Sequence, residues 1–336
     1  EEMISSMKPS ALPMRTAAFS VIPVFLGGCA TFSADGGFGN VGSAAKERGL
    51  TQDLKWVKSD KDADDVRATV RKLLASPLTA DSATQIALLN NRGLQATYAE
   101  LGLAESDLVQ AGRLTNPGFT FERLRRGDEI SIDRTFLFNV LGLLTMPIRT
   151  DLEKRRLELT QSRVTAETLQ VAADTRRAYF STVAAQETTK YLEQVKTAAE
   201  ASAELARRMA AVGNFSKLDQ ARDQVFYAEV TAQLARSKQA ALAERERLTR
   251  IMGLWGGDIS FKLPERLPDL PKSAREITDL ESQALKQRLD VQSAMKEAEN
   301  IASSMGLVKT TGFINVLEVG YRRNSETGQP RQTGYE

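Results

Sequence analysis

The residue types that carry most enzyme chemistry are scarce in this sequence. The 336-residue chain contains no histidine and a single cysteine, Cys29. Without histidine there is no imidazole to act as a general base or to ligate zinc. One thiol can neither complete a multi-cysteine metal site nor pair within its own chain. No serine lies in a nucleophile motif. The sequence therefore predicts a protein that is not an enzyme and that holds no cofactor and no metal.

Two groups of residues match ligand-binding motifs by letter only. Gly37, Gly39 and Gly42 have the spacing of a dinucleotide fingerprint, but no apolar strand precedes them. The acidic cluster at 60–65 resembles a calcium loop, yet Asp65 stands where that loop needs glycine. We interpret the glycines as part of a tether and the acidic cluster as the solvated start of a helix.

The overall charge and composition also exclude some classes of protein. Lysine and arginine total 45, and aspartate and glutamate total 43, which gives a formal net charge of +2. This balance produces no strong field, so no nucleic-acid partner is expected. Aromatic residues make up 6% of the chain and prolines number 10, a composition that favours long helices over a loop-rich structure.

The N-terminal residues have the pattern of a bacterial lipoprotein signal. Lys8 and Arg15 provide a positively charged region before an uncharged stretch, Ala17 to Gly28. This stretch suits the core of a signal peptide and is too short to span a bilayer. Cys29 follows two glycines at the end of this stretch, which resembles the lipobox where the signal peptide is cleaved and the thiol is acylated. We predict a signal peptide over 1–28 and lipidation of Cys29, the alternative being an ordinary signal peptide with an incidental cysteine. Ala30 in place of aspartate implies sorting to the outer membrane.

Residues 29–80 are predicted to form a lipidated linker followed by a helix. Thr31 to Gly49 is rich in glycine, serine and alanine, which is typical of a flexible tether.

Because two glutamates precede the first methionine, translation is expected to start at Met3, Met7 or Met14.

Helical periodicity and then two alternating runs follow the linker. From Ser82 to Gln110 apolar residues recur at helical spacing, and Asn116-Pro117-Gly118 ends the pattern. Apolar and polar residues then alternate over 119–122 and again over 130–140, with a charged turn between them. This predicts a β-hairpin in which one face of the second strand carries Phe136, Phe138 and Val140.

A long heptad pattern dominates the sequence. Pro147 is expected to open a helix, and there is no proline or glycine from Leu152 to Val212. Apolar or small residues recur every seven positions, which predicts a coiled-coil seam on a helix roughly 100 Å long. The seam consists of Leu157, Val164, Val171, Ala178, Ala185, Leu192, Ala199 and Ala206.

A short break separates this helix from a second one. Gly213 to Ser216 interrupts the pattern, with Ser216 as a helix N-cap and Phe215 expected to be exposed. The second helix is predicted to run to about Met252. Two long helices joined by a short turn predict an antiparallel helical hairpin.

The first pattern returns near the end of the chain, which indicates an internal repeat. Residues 284–292 align with 87–95 at an offset of 197, and Gly312-Phe313 is matched to Gly118-Phe119 as the start of a strand. A proline-rich stretch, Gly256 to Pro271, separates the copies. We expect the second copy to stop after one strand, without a fourth strand or a second long hairpin.

The ordered set of motifs resembles the TolC-like outer-membrane factor family over roughly residues 80 to 325. Leu289 departs from the family, which usually has proline there. The similar segments are Asn90-Asn91-Arg92-Gly93-Leu94-Gln95 with Ala99-Glu100, Arg113-Leu114-Thr115-Asn116-Pro117-Gly118, Leu254-Trp255-Gly256, Leu263-Pro264-Glu265-Arg266-Leu267-Pro268 and Arg288-Leu289-Asp290-Val291.

This resemblance implies a mainly α fold with a long antiparallel coiled-coil hairpin, membrane β-hairpin strands and an internal helix–strand repeat. Residues 81–271 would form the first repeat and 272–336 an incomplete second one. Three chains would assemble as an α-helical tunnel with a trimeric β-barrel. The helices would lie in the periplasm and the strands in the outer membrane.

The function that the resemblance implies is that of an outer-membrane channel subunit in a tripartite efflux system, which conducts substrates from the periplasm to the outside. The homotrimer would bind a periplasmic adaptor protein and an inner-membrane pump. The strand face that carries Phe136 would contact lipid. The adaptor-binding tip would consist of Gly213, Asn214, Phe215, Ser216, Leu218 and Asp219.

A structural periplasmic coiled-coil lipoprotein without a pore is the alternative. Such a brace needs no lipid-facing strands, so the phenylalanine-rich alternating runs favour the channel. Neither hypothesis identifies a substrate, and drugs, metal ions and secreted proteins remain open.

Lipidation of Cys29 can be tested directly. Because Cys29 is the only thiol of the chain, we expect radiolabelled palmitate to label the mature protein and the Cys29→Ser variant to remain unlabelled. Equal labelling of the two proteins would contradict the assignment.

Overall fold

The computed structural model describes residues 31–270, 272–273, 279–313 and 316–335. The predicted signal peptide and Cys29 lie outside the described residues. Contacts between residues divide the chain into two compact units. Of the described residues, the strand unit holds 31–36, Leu103–Glu158 and those from Lys296 onward, and the helical unit holds those within Gly37–Gly102 and Leu159–Met295.

Helices make up most of the described chain, and the strands fall at two places in the sequence. The helices are α1 (Phe38–Glu47), α2 (Asp60–Leu74), α3 (Ala80–Asn90), α4 (Arg92–Ala111), α5 (Val140–Ala211), α6 (Lys217–Ile251), α7 (Leu280–Gln287) and α8 (Leu289–Thr311), with a 3-10 turn at Gly256–Ile259. The strands are β1 (Gly118–Arg126), β2 (Glu129–Asn139), β3 (Glu318–Glu326) and β4 (Gln332–Tyr335).

The predicted helical hairpin is confirmed in α5 and α6. The Thr182 hydroxyl donates to the carbonyl of Glu244 at 3.1 Å, and the hydroxyls of Thr189 and Ser237 lie 2.8 Å apart. The midpoint of 182 and 244 is 213, and so is the midpoint of 189 and 237. The two helices are therefore antiparallel about Gly213.

The seam side chains of α5 face the interior, as the heptad pattern predicts. None of the eight is exposed, and five of them are buried. Burial of residues this small lets neighbouring helices approach closely without leaving voids. The buried members are Val164, Ala178, Leu192, Ala199 and Ala206.

A second heptad series on α5, made of threonines, was not anticipated from the sequence. Each threonine hydroxyl donates to the carbonyl of the seam residue four positions earlier, at 2.6–2.9 Å. Every one of these hydroxyls thus has an acceptor inside its own helix, so it can be covered without a desolvation penalty. The series is Thr168, Thr175, Thr182 and Thr189.

The prediction of a flexible tether over Thr31 to Gly49 is wrong for α1. Val41 and Ala45 are fully buried against a cluster that contains Tyr98 and Val164. Phe38, Val41 and Ala45 recur at helical spacing, and this apolar stripe docks the helix on the helical unit. The high glycine content concealed the stripe.

The long helix starts earlier than predicted. α5 begins at Val140, directly after β2, and Pro147 lies inside it. Asn139 acts at the helix start, because its side-chain oxygen accepts a hydrogen bond from the backbone N–H of Gly142 at 2.6 Å. Val140 is therefore a helix residue, and its assignment to the strand is corrected.

The internal repeat is visible in the backbone, with two corrections. Asn91 separates α3 from α4 with an extended ψ of 114°. Arg288, 197 residues later, separates α7 from α8 in the same way, with a ψ of 115°. Gly312 and Phe313 lie outside the strands, because β3 starts only at Glu318. A fourth strand, β4, is present and pairs with β3, contrary to the expectation that the chain ends before it.

Two asparagines, Asn90 and Asn91, join the start of the first repeat to the end of the hairpin. The Asn90 amide donates to the carbonyls of Met252 and Gly253 at 3.1 and 2.8 Å, and the Asn91 amide donates to the carbonyl of Ile251 at 2.8 Å. The last carbonyls of a helix lack partners within it, so these amides satisfy groups that would otherwise be orphaned. We call this arrangement the asparagine clasp.

The clasp predicts an unusual sensitivity at Gly253. This glycine has φ 66°, and a Cβ built on it would overlap the backbone carbonyl of Asn90. We expect Gly253→Ala to lower the free energy of unfolding by about 2–4 kcal/mol, since it combines a left-handed backbone with a steric clash. Gly257→Ala is the control, because that position has open space and an ordinary φ. Equal unfolding midpoints in urea for the two variants would contradict the clasp geometry.

Candidate functional site

The strands form one antiparallel sheet in the order β1-β2-β3-β4. The predicted hairpin of β1 and β2 is confirmed, with its turn at Gly127, whose φ is 62°. Because side chains alternate between the faces of a sheet, the register assigns every residue to one face. One row across all four strands then contains only aromatic residues: Phe119, Phe136, Tyr321 and Tyr335.

The two faces of the sheet differ in chemistry. The face that carries the aromatic row is called the apolar face. It also holds Phe121, Ile130, Ile132, Phe138 and Val319, and towards the strand turns it holds four arginines: Arg123, Arg125, Arg134 and Arg323. The opposite, polar face holds Thr120, Glu122, Ser131, Asp133, Thr135, Arg322 and Asn324. On the polar face, Arg322 forms an ion pair with Asp133 across β2 and β3.

Phe136 and Phe138 therefore share a face, while Val140 has left the sheet. Sequence reasoning did not identify the contribution of β3 and β4 to this face, because their register cannot be read from alternation within one strand. No helix in the described ranges is both long enough and apolar enough to cross a membrane.

At the end of the hairpin, α5 terminates in a Schellman motif. The N–H of Gly213 donates to the carbonyl of Ala210 at 3.1 Å, and the N–H of Asn214 donates to the carbonyl of Met209 at 2.9 Å. Gly213 has φ 79°, which glycine adopts without strain. The chain reverses direction at this residue.

The next helix starts with a side-chain cap. The Ser216 hydroxyl accepts a hydrogen bond from the N–H of Asp219 at 3.0 Å and donates to the Asp219 carboxylate at 2.6 Å. Asp219 also pairs with Arg222. Ser216 is thus the N-cap of α6, as predicted, and the carboxylate lies in the first turn, where the helix dipole favours it.

The exposed apolar surface of the turn differs from the prediction. Phe215 is half-buried rather than exposed, at the position before the N-cap, where an apolar side chain commonly packs against the first turn. Val212 and Leu218 are instead 70% and 62% exposed. They flank the turn on either side, and we refer to residues 212–219 as the tip.

The Glu204 carboxylate forms ion pairs with the two arginines that precede the tip, Arg207 and Arg208. Glu204 accepts hydrogen bonds at 2.8 Å from both Arg207 and Arg208, and these bonds lower the pKa of Glu204 to about 2. All three side chains are solvent-exposed enough to be hydrated. The described residues contain no group of three or more acidic, cysteine or histidine side chains that could hold a metal ion.

Comparisons with known proteins bear on the class of this fold. No family model matches the chain. The chain is 28% identical to the cobalt-zinc-cadmium resistance protein CzcC of Cupriavidus metallidurans over 184 residues. This aligned stretch covers 54% of the present chain and 43% of CzcC.

Two solved structures share the fold. A membrane protein from Pseudomonas aeruginosa matches with a TM-score of 0.61 and 16% identity, covering 80% of this chain and 65% of that one. The Campylobacter jejuni CmeC outer membrane channel matches with a TM-score of 0.52 and 15% identity, covering 85% of this chain and 64% of that one. The chain thus spans less than half of the curated relative and about two-thirds of the solved structures.

The chain thus shares its fold with a solved outer-membrane channel, which confirms the mainly α architecture inferred from the sequence.

The ion pairs of Glu204 predict a pH dependence at the end of α5. Because the folded-state pKa of Glu204 lies below its ordinary value of 4.5, its contribution to stability is present above that value and is lost as pH falls towards about 2. We expect amide exchange in the last turn of α5 to accelerate over this range relative to the middle of the helix. The Glu204→Gln variant should exchange quickly at every pH, and a pH-dependent difference that survives in it would refute the assignment.

Proposed function

We propose that this chain is a subunit of an outer-membrane channel that conducts substrates from the periplasm to the outside as part of a tripartite efflux system. One observation carries the proposal: a sheet with one apolar and one polar face leads directly into α5, one arm of a long helical hairpin. An apolar face turned to lipid and a polar face turned to water is the pattern of a membrane pore built from strands.

The sheet requires partners to function in a membrane. β1 and β4 stand at the two ends of the strand order, so each has one unpaired edge within the described residues. Backbone groups cannot remain unpaired in hydrocarbon. Closure by further copies of the chain would pair all edges, and three copies with four strands each is the number that the resemblance to TolC-like outer-membrane factors implies.

The proposed location of the chain is the outer membrane. A lipid on Cys29 would anchor the chain to the outer membrane, with the helices of both units in the periplasm. The alternative of a coiled-coil brace without a pore leaves the apolar face of the sheet without a role.

The tip is the proposed binding site for a periplasmic adaptor protein, which would connect the channel to an inner-membrane pump. Gly213, Asn214, Phe215, Ser216 and Asp219 build a rigid turn, and the turn presents Val212 and Leu218 to solvent. Exposed apolar side chains on a preorganised turn suit a protein interface, because their burial contributes binding energy at a low cost in entropy. Leu218 is thus retained from the predicted set, and Val212 is added.

The sheet assignment can be tested by two neighbouring substitutions. Phe138→Arg places a charge on the part of the apolar face that carries no arginine, and it should cost about 2–4 kcal/mol if this part meets lipid near the bilayer midplane. Leu137→Arg places the same charge on the polar face. In the full-length protein we expect Phe138→Arg to abolish trimer assembly and conductance in planar bilayers.

Leu137→Arg is the control and should assemble, with reduced cation conductance because the arginine would line the pore. Normal assembly of Phe138→Arg, or failure of both variants, would contradict the proposed orientation of the sheet.

The adaptor proposal predicts a loss of export without a loss of stability. The double variant Val212→Glu/Leu218→Glu should abolish efflux while trimer yield and thermal stability stay nearly unchanged, since both residues are solvent-exposed. Leu242→Glu on α6 is the control, because Leu242 is equally exposed and lies away from the tip.

Photocrosslinking from position 218 in cells should trap the adaptor. Substrates in the export assay should include cobalt, zinc and cadmium ions, for which CzcC is named. Normal export by the double variant, together with no crosslink, would remove the tip as the binding site.

A further inference from the structure

Two arginines stand opposite each other on the apolar face of the sheet. Arg134 of β2 is paired in register with Arg323 of β3. Both lie in the row next to the aromatic row, on the side towards the strand turns. Arg123 of β1 lies one row further in the same direction. The register therefore places these three arginines at neighbouring positions on the face of the four aromatic rings, and we call them the arginine cluster. Arg125, two rows beyond Arg134 and Arg323 towards the turn, donates to the carbonyl of Gly127 instead.

This arginine cluster has no counter-charge on its own face. The acidic residues of the strands fall on the polar face by alternation, where Asp133 is paired with Arg322. In the described part of the chain, no carboxylate lies within ion-pair distance of Arg123, Arg134 or Arg323. The one charge-stabilising contact of Arg134 is with the ring of Phe121, 5.7 Å from its guanidinium carbon.

The hydrogen-bonding capacity of the cluster is also incomplete. The Nε atom of Arg323 is buried and has no hydrogen-bond partner. Like charges directly opposite each other destabilise a sheet, and a buried donor without a partner is unfavourable. An anion placed between Arg134 and Arg323 would relieve both effects.

We propose that the arginine cluster binds the phosphate of a membrane lipid headgroup. Guanidinium groups bind phosphate oxygens in a bidentate manner, and aromatic rings favour the boundary between hydrocarbon and water. The aromatic row supplies apolar surface on the side of the acyl chains, which a free phosphate would not use. This inference rests on the proposed function, since the apolar face must meet lipid.

The position of the cluster selects the leaflet. The α5 helix follows the end of β2 that carries Phe138. Arg134 is the central residue of β2, and Arg123 and Arg323 lie in the halves of β1 and β3 nearer to the strand turns. With the helices in the periplasm, the cluster reaches the outer leaflet. The lipid is therefore a phosphorylated glycolipid of that leaflet, and lipid A carrying two phosphates is the appropriate probe.

The test uses native mass spectrometry of the full-length, detergent-solubilised assembly. We expect lipid A with two phosphates to bind at least about tenfold more tightly than lipid A from which the phosphates have been removed. The Arg134→Gln/Arg323→Gln variant should lose this preference. Arg126→Gln is the control, because it removes an arginine from the polar face of the same sheet, and it should keep the preference.

Three results would overturn the inference. These are equal binding of the two forms of lipid A to the unmodified protein, unchanged selectivity in the double glutamine variant, and displacement of lipid A by inorganic phosphate at equal concentration. The first and third need no variant. If the glutamine variant does not assemble, Arg134→Lys/Arg323→Lys keeps the charge without the bidentate geometry and should show reduced selectivity. Conductance of the same preparation separates a failure of this inference from a failure of the channel proposal.

Discussion

Two hydrogen-bonded contacts between α5 and α6 are the interactions on which the helical hairpin depends. A polar side chain between the two helices would have to remain hydrated if it had no acceptor within its own helix. Thr182 and Thr189 meet this requirement, because each hydroxyl is satisfied by a carbonyl of α5. Thr182 and Thr189 additionally reach α6, so the same residues contribute to packing and to register.

The ends of the hairpin are determined by backbone chemistry rather than by apolar contacts. At the tip, glycine in a left-handed conformation and a serine cap allow the reversal within a few residues. At the other end, the asparagine clasp satisfies the carbonyls that α6 leaves open. Both ends use side chains or conformations that alanine cannot supply, which is why they stand out in an otherwise regular heptad sequence.

Sequence reasoning succeeded where one periodicity extends over many residues. The seam of α5, the N-cap at Ser216 and the β1–β2 hairpin follow from spacing alone. It failed where a short apolar stripe is hidden by composition, as in α1, whose Phe38, Val41 and Ala45 are separated by glycines and polar residues. The start of α5 was misplaced because proline usually marks the first turn of a helix, whereas Pro147 is the eighth residue of α5, whose first turn is capped by Asn139. The lipid-facing and tip residues could be proposed from pattern, but the exposure of Val212 and the burial of Phe215 depend on the local turn.

The same contacts limit how the hairpin can move. The pairings of Thr182 with Glu244 and of Thr189 with Ser237 oppose sliding of α5 along α6, and the asparagine clasp holds the end of α6 to the junction of α3 and α4. Force applied along the hairpin must then be absorbed by bending or by rotation about the helix axes. The hairpin therefore behaves as a strut of constant length, and any widening or narrowing of an assembly built from it would proceed by twisting of whole struts rather than by changes in their reach.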